Sequence, residues 1–298
     1  GIYAIFLFIS DYNIISEKIS NFKINYLPLI LFLVSASWTP LFIKWHFLLK
    51  NCEIHLPLKK SILVFLSGPA FEITPGQIGA LVKSQILKTS SNIPRTKTVP
   101  IIVVEKVYDL IGAVLASIIG IVILGMEPHL IVIAILVLVT IFFFVYYRPA
   151  SEIFFKQITK RKFFSKYVEN ISDFYEIVHK STNVKVATIC ILLALTYWFM
   201  VSAAAYYTLI AFDINILDYL KVLAIYATST LLGAISFIPA GIGITEGSIT
   251  GLFTLNGIDV STALILSVMI RVLTLWYTVG VGFVALKFTG GFSFKQDS

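Results

Sequence analysis

From Val186 to Phe212 the chain carries no Asp, Glu, Lys or Arg. That run is longer than the ~20 apolar residues needed to cross the ~30 Å hydrocarbon core of a bilayer. With no water in that core, a helix or a closed barrel must satisfy every backbone N–H and C=O internally. The rest of the chain agrees with a membrane setting. Hydrophobic residues make up 58% of it and charged ones 13%, against roughly 25% charged in soluble domains. The sequence therefore reads as an all-α polytopic membrane protein, with residues 1–298 forming one transmembrane domain.

The apolar segments are 27–49, a Pro/Gly-broken pair 61–74 and 76–87, then 99–124 and 130–147. After a polar linker come 184–212, a second broken pair 216–238 and 244–256, and 260–286. The opening apolar stretch 2–9 is too short to span and is expected to be an interfacial piece or part of a longer helix.

Lysine and arginine in short loops set direction. The linker 148–183 holds Arg148, Lys156, Lys160, Arg161, Lys162, Lys166 and Lys180, and is expected on the cytoplasmic side of the plasma membrane. The same map puts Lys50, Lys59, Lys60, Lys83, Lys88, Arg95, Lys97 and the C-terminus inside, with Lys18, Lys23 and Lys221 outside. Lys106 is placed on a different helical face from Asp109, where it is expected to snorkel or to pair locally. Apolar residues from Phe164 to Val178 recur at helical spacing. They predict an amphipathic helix, either lying on the inner leaflet or packed on the bundle as an ordinary linker.

"ITPGQIGALVK" (73–83) and "FIPAGIGITEG" (237–247) share one pattern. Aligned on Pro75 and Pro239, Ile78-Gly79 falls on Ile242-Gly243. The order helix, broken pair, helix occurs over 27–124 and again over 184–286. By the charge map the first pair enters from the cytoplasm and the second from outside. The expected architecture is two inverted-topology repeats, each containing a re-entrant pair. Proline withholds an N–H and glycine loosens the backbone, so each helix stops there. The helices that begin after Gly76 and Gly243 would then aim their N-termini, with free N–H donors, into the bundle. That suits an anionic group, and a lipid headgroup is expected at Pro75, Gly76, Gly79, Pro239, Gly241 and Gly243, with Glu246 and Arg271 as further headgroup-binding candidates.

Six ionisable residues fall inside this apolar framework: Glu72, Glu105, Lys106, Asp109, Glu246 and Arg271, with Lys44 nearer an end. Each costs about 2.5–3.5 kcal/mol in lipid unless paired or hydrated. Glu105 and Asp109 lie four apart on one helical face, able to repel, share a proton or hold a cation. With Glu72 they are candidates for proton or ion coupling. Arg271 offers a planar fork for a phosphate or carboxylate. Two roles stay open for it: binding a lipid headgroup, or pairing internally with Glu246 or Glu105.

Cys52 and Cys190 are far apart, and the four histidines are scattered. No metal site or cofactor is expected from them, and no GxxxxGK[ST] phosphate loop occurs. The formal charge of +7 suits an anionic inner leaflet and argues for membrane lipids as partners, not nucleic acid. A homo-oligomer is compatible with the sequence.

"TPGQIG…K", "VVEKVYDLIG" (103–112), "PAGIGITEGSI" and "MIRVLTLW" (269–276) resemble the flippase-like transmembrane family. This is the family of the membrane part of lysylphosphatidylglycerol synthase, the multiple peptide resistance factor. The resemblance implies a lipid-translocating fold with two re-entrant elements. It maps the first turn on Pro75, Gly76 and Gly79, and the acidic-basic-acidic element on Glu105, Lys106 and Asp109. The second turn maps on Pro239, Gly241, Gly243 and Glu246, and the helix arginine on Arg271. Lys106 stands where the family often has arginine. No acyltransferase-like domain is seen after the last helix, so aminoacyl transfer is not expected of this chain. The function expected is non-enzymatic movement of an anionic or zwitterionic headgroup lipid, of aminoacyl-phospholipid or polyprenyl-phosphate type. The alternatives are an intramembrane enzyme acting on a lipid phosphate, and a structural subunit of a membrane complex.

Overall fold

A computed structural model describes residues 21–71, 73–74, 79–125, 132, 134–140, 143 and 171–289. Among these, all regular structure is helical. The named helices are α1 (Leu27–Asn51), α2 (Leu58–Ser67), α3 (Val82–Ser91), α4 (Arg95–Ile123), α5 (Ile171–Ser181), α6 (Val184–Ala211), α7 (Tyr219–Ile235), α8 (Ile244–Leu255) and α9 (Val260–Phe288). A 3₁₀ turn, Gly68–Phe71, follows α2, and another, Pro239–Gly241, precedes α8. Within α9 the turn Val272–Trp276 is a π-helix. Residues 134–140 are also helical.

Among the described residues, four helices are long and apolar enough to cross a membrane: Ile24–Asn51, Arg95–Ile123, Val184–Ala211 and Val260–Phe288. They are the flanking helices of the two segments anticipated from sequence. Their outward side chains, such as Phe32, Val122, Leu192 and Val284, are exposed, as a lipid-facing surface requires. The chain is an all-α polytopic membrane protein. Between the long helices lie short ones. At 1.5 Å per residue, α2 and α3 (10 residues each) reach about 15 Å, and α8 (12 residues) about 18 Å. None of the three covers a ~30 Å core.

The packing has a reciprocal pattern. α1 lies along α6, α4 packs on α7, and the C-terminal half of α9 packs on α2 and its 3₁₀ turn. The last helix of each segment thus covers the first arm of the other segment's broken pair. In each segment the second arm packs on its own last helix, α3 on α4 and α8 on α9. Missing side chains permit the close approaches. A Cβ on Gly120 would come within 2.7 Å of Ala224 Cα, and one on Gly282 within 2.4 Å of Ala70 N. Small residues at crossings are how helices associate in lipid, where no hydrophobic drive exists between them.

Direction along α1 and α6 follows from contacts at both ends. Lys23 N–H donates to Ala211 O at 2.9 Å, and Lys23 pairs with Asp213. At the other end Asn51 Nδ2 donates to Lys180 O at 3.0 Å. The two helices are therefore antiparallel. The linker helix α5 spends its apolar face on the bundle: Phe174 is buried, α5 packs on α4, and Tyr108 donates to Ser181 O at 2.9 Å. Of the two readings of the amphipathic stretch, the packed one describes Ile171–Ser181; residues 164–170 lie outside the described ones.

Glu53, just beyond α1, accepts from Lys180 at 2.6 Å. The ammonium, by that hydrogen bond and by its charge, holds the Glu53 carboxyl below its ordinary value. A lowered carboxylate stabilises above its unfolded pKa, and the contribution is lost as pH falls through the folded value. Both ends are in water, so the expected effect is small. Glu53→Gln should leave neutral-pH stability nearly unchanged and remove a slight acid-side decline in unfolding temperature.

Candidate functional site

The first charged centre is built on α4. Its helical period sets Glu105 and Asp109 on one face, and lysines from two other helices reach them. Lys83 of α3 donates to Glu105 Oε2, and Lys44 of α1 donates to Asp109 Oδ1. Lys106 Nζ stands 3.7 Å from Asp109 Oδ2. Lys44 is fully buried, and Lys83 and Glu105 are each 3% exposed. The Lys83 ammonium lies 4.2 Å from the centroid of the Trp45 ring, a cation–π distance. Its stem runs over Gly68, where a Cβ would meet Lys83 Cδ at 3.2 Å. Glu105 sits ten residues into α4, about 15 Å along the helix. These charges are well inside the span.

Beside them opens a crevice of about 60 Å³ whose lining includes Trp38, Phe65, Gly68, Lys83, Glu105, Lys106, Asp109, Tyr197 and Thr278. That is room for a few water molecules.

Three expectations change here. Lys83 does not belong to a cytoplasmic loop; it is buried because Glu105 compensates its charge. Lys44, placed near a helix end, lies inside the bundle because Asp109 receives it. Lys106 is within reach of Asp109, since positions three apart on a helix are neighbours. Glu105 and Asp109 line one crevice, each bonded to a lysine of its own.

The second centre is the turn before α8. Phe237 (φ 55°) and Ala240 (φ 53°) adopt left-handed backbone, as do Gly241 (φ 64°) and Gly243 (φ 92°). At the two glycines that conformation is nearly free; at Phe237 and Ala240 it is strained. The strain is held by side chains. Glu246 accepts from the Gly243 N–H at 2.7 Å with Oε2 and from Arg271 Nε at 2.9 Å with Oε1. Arg271 Nη2 donates to the carbonyl of Ala240 itself. Glu246 thereby caps α8 while fastening it to α9. Glu246 and Arg271 are 1% and 4% exposed. Gly241 packs so tightly on α7 that a Cβ there would come within 2.9 Å of Gly233 Cα.

Of the two roles left open for Arg271, the pairing with Glu246 is formed. Pro239, Gly241, Gly243, Glu246 and Arg271 come together as one unit. Helix α8 opens right after Gly243, as its sequence suggested, whereas α3 opens at Val82, later than Gly76. Gly79 closes the first turn: its N–H donates to Thr74 Oγ1 at 2.8 Å, and a Cβ would lie 2.2 Å from Phe71 O. Glu72, Pro75 and Gly76 lie outside the described residues.

The two centres share a plan with charges exchanged. In the first, a lysine on the second arm (Lys83) pairs with a carboxylate on the last helix (Glu105). In the second, a carboxylate on the second arm (Glu246) pairs with an arginine on the last helix (Arg271). Sequence reasoning missed Lys83 and Trp45 as site residues. The available signal was position: Lys83 stands eight residues after Pro75 and Glu246 seven after Pro239. No group of three or more metal-ligating side chains occurs among the described residues.

No curated protein matches the chain. A family model, that of the lysylphosphatidylglycerol synthase TM region, matches residues 1–282. With that match over nearly its whole length, and with the turns and buried pairs described above, the chain belongs to the family of the lysylphosphatidylglycerol synthase transmembrane region, a family of membrane-lipid proteins.

Proposed function

We propose that the protein moves a lipid with an anionic or zwitterionic headgroup between leaflets, without itself catalysing a covalent reaction. The observation that carries this reading is the crevice beside Lys83, Glu105, Lys106 and Asp109, walled by charge within a membrane-spanning bundle. A charged side chain inside a span is costly and marks a pathway for polar cargo. The headgroup occupies the crevice while its tails stay in the bilayer. Aminoacyl-phospholipids are the first cargo class of this proposal, in keeping with the family match, and polyprenyl phosphates the second.

Alternating access comes from the two segments as inverted repeats with re-entrant pairs. Antiparallel α1 and α6, the reciprocal packing and the short arms support this arrangement. The charge pattern of the loops supports a plasma-membrane orientation with 148–183 and the C-terminus in the cytoplasm. A headgroup that reaches Arg271 competes with Glu246 for the guanidinium, and releasing that pair frees the second turn to move.

The test is a reconstituted assay. Vesicles holding the protein and a headgroup-labelled phospholipid are treated with an impermeant quencher. Wild type should expose inner-leaflet label, and Asp109→Asn should fall to the rate of protein-free vesicles. If neither phospholipid nor polyprenyl-phosphate label crosses faster with wild-type protein than without it, translocation is wrong.

A further inference from the structure

The crevice has a property that an open cationic pocket lacks: its buried charges come as formed pairs. Lys83 and Glu105 both line it, both almost fully enclosed and bonded to one another. Asp109, half-buried at its wall, is bonded to the fully buried Lys44 and stands 3.7 Å from Lys106. Removing one partner from a buried pair strands the other charge in a low-dielectric interior, which is strongly unfavourable. A ligand bearing only a phosphate would take Lys83 and strand Glu105. One bearing only an ammonium would take Glu105 and strand Lys83. A headgroup with both charges exchanges pair for pair and strands neither.

We infer that this crevice is a binding site for headgroups carrying a phosphate and an ammonium a few bonds apart, the zwitterionic phospholipids, and that it rejects headgroups of a single sign. The inference rests on the lipid-headgroup reading above and names its substrate class. Lys83 and Lys106 take the phosphate oxygens; Glu105 takes the ammonium, while Asp109 keeps Lys44. Trp38 and Tyr197 also line the crevice, and aromatic rings suit a cationic end. The small volume favours a compact headgroup over an extended one. Gly68 acts as a positioning residue, because its bare backbone lets the Lys83 stem lie against it.

Selectivity is read from thermal unfolding of the purified protein in mild detergent. Three short-chain probes are titrated at equal concentrations: phosphatidylethanolamine, phosphatidylglycerol, and a phosphate-free trimethylammonium lipid. Wild type should show a saturable rise in unfolding temperature with phosphatidylethanolamine and little with the other two. Glu105→Gln should gain a response to phosphatidylglycerol, and Lys83→Gln a response to the trimethylammonium lipid. The double variant Lys83→Gln/Glu105→Gln strands no charge, so it decides the matter if a single variant does not fold. It should lose discrimination among the three.

Equal shifts for all three probes in wild type would overturn the inference. So would a double variant that keeps full selectivity. The vesicle assay separates the two readings. Selective binding of phosphatidylethanolamine without movement of any lipid sinks translocation and leaves this site standing. Movement of lipids with no selectivity in binding does the reverse.

Discussion

Arg271→Met is expected to cost about 3–5 kcal/mol of stability, the range for stranding one member of a buried ion pair. The loss has three parts in this structure. Glu246 keeps its bond from the Gly243 N–H but loses its cation. The carbonyl of left-handed Ala240 loses its donor. The turn Phe237–Gly243 loses the tie that holds its strain. Glu246→Gln should cost less, because an amide can still accept from Gly243 and Arg271 keeps the Ala240 carbonyl. Arg271→Met/Glu246→Gln should recover part of the single-variant loss, since no full charge is then buried alone. Thermal unfolding in detergent reads all three. An Arg271→Met protein as stable as wild type would show that the pair does not hold the turn. Retained lipid, measured by native mass spectrometry on the same samples, then tells whether Arg271 also touches a headgroup.

The second large effect is steric. Gly282→Val should destabilise by about 1–3 kcal/mol, the usual cost of overpacking. A Cβ at 282 would lie 2.4 Å from the Ala70 backbone nitrogen and 3.1 Å from Ala70 Cα. Backbone cannot swing aside as a side chain can, so α9 must move off the turn that follows α2. Gly280→Val on the same helix is the matched control, because nothing lies within 4 Å of a Cβ there. It should be nearly neutral. Equal unfolding temperatures for the two variants would mean that α9 and the Gly68–Phe71 turn do not pack as described.

Much of this molecule is legible locally. A bilayer tests each stretch of chain by itself: a run either covers the hydrocarbon with bonded backbone or does not. The four crossing helices therefore follow from run length, and their ends fall within a few residues of the apolar limits. Helix α9, expected over 260–286, runs from Val260 to Phe288. The restart after Gly243 follows from backbone chemistry just as local, whereas α7 stops at Ile235, four residues before Pro239. Glu246, three residues into α8, is where a capping carboxylate belongs.

The pairing of charges is not local. Lys83 meets Glu105 across 22 positions and Lys44 meets Asp109 across 65. Loop-charge counting assigned Lys83 to water, because a lysine beside a broken helix looks the same whether or not a carboxylate waits on the next one. Periodicity identified the face holding Glu105 and Asp109 but could not say what covered it.

By itself, then, the sequence determined that this chain lives in a membrane as helices, that one of them restarts after Gly243, and that Glu105, Asp109, Glu246 and Arg271 had to be rescued from lipid. Only the tertiary structure decided that the last helix of each segment covers the other segment's broken pair, and so which lysine or arginine answers each carboxylate. The physical reason is that helices in lipid choose neighbours by close fit. Gly120 against Ala224 and Gly282 against Ala70 set the helix crossings, and a buried charge can pair only with what those crossings bring within reach.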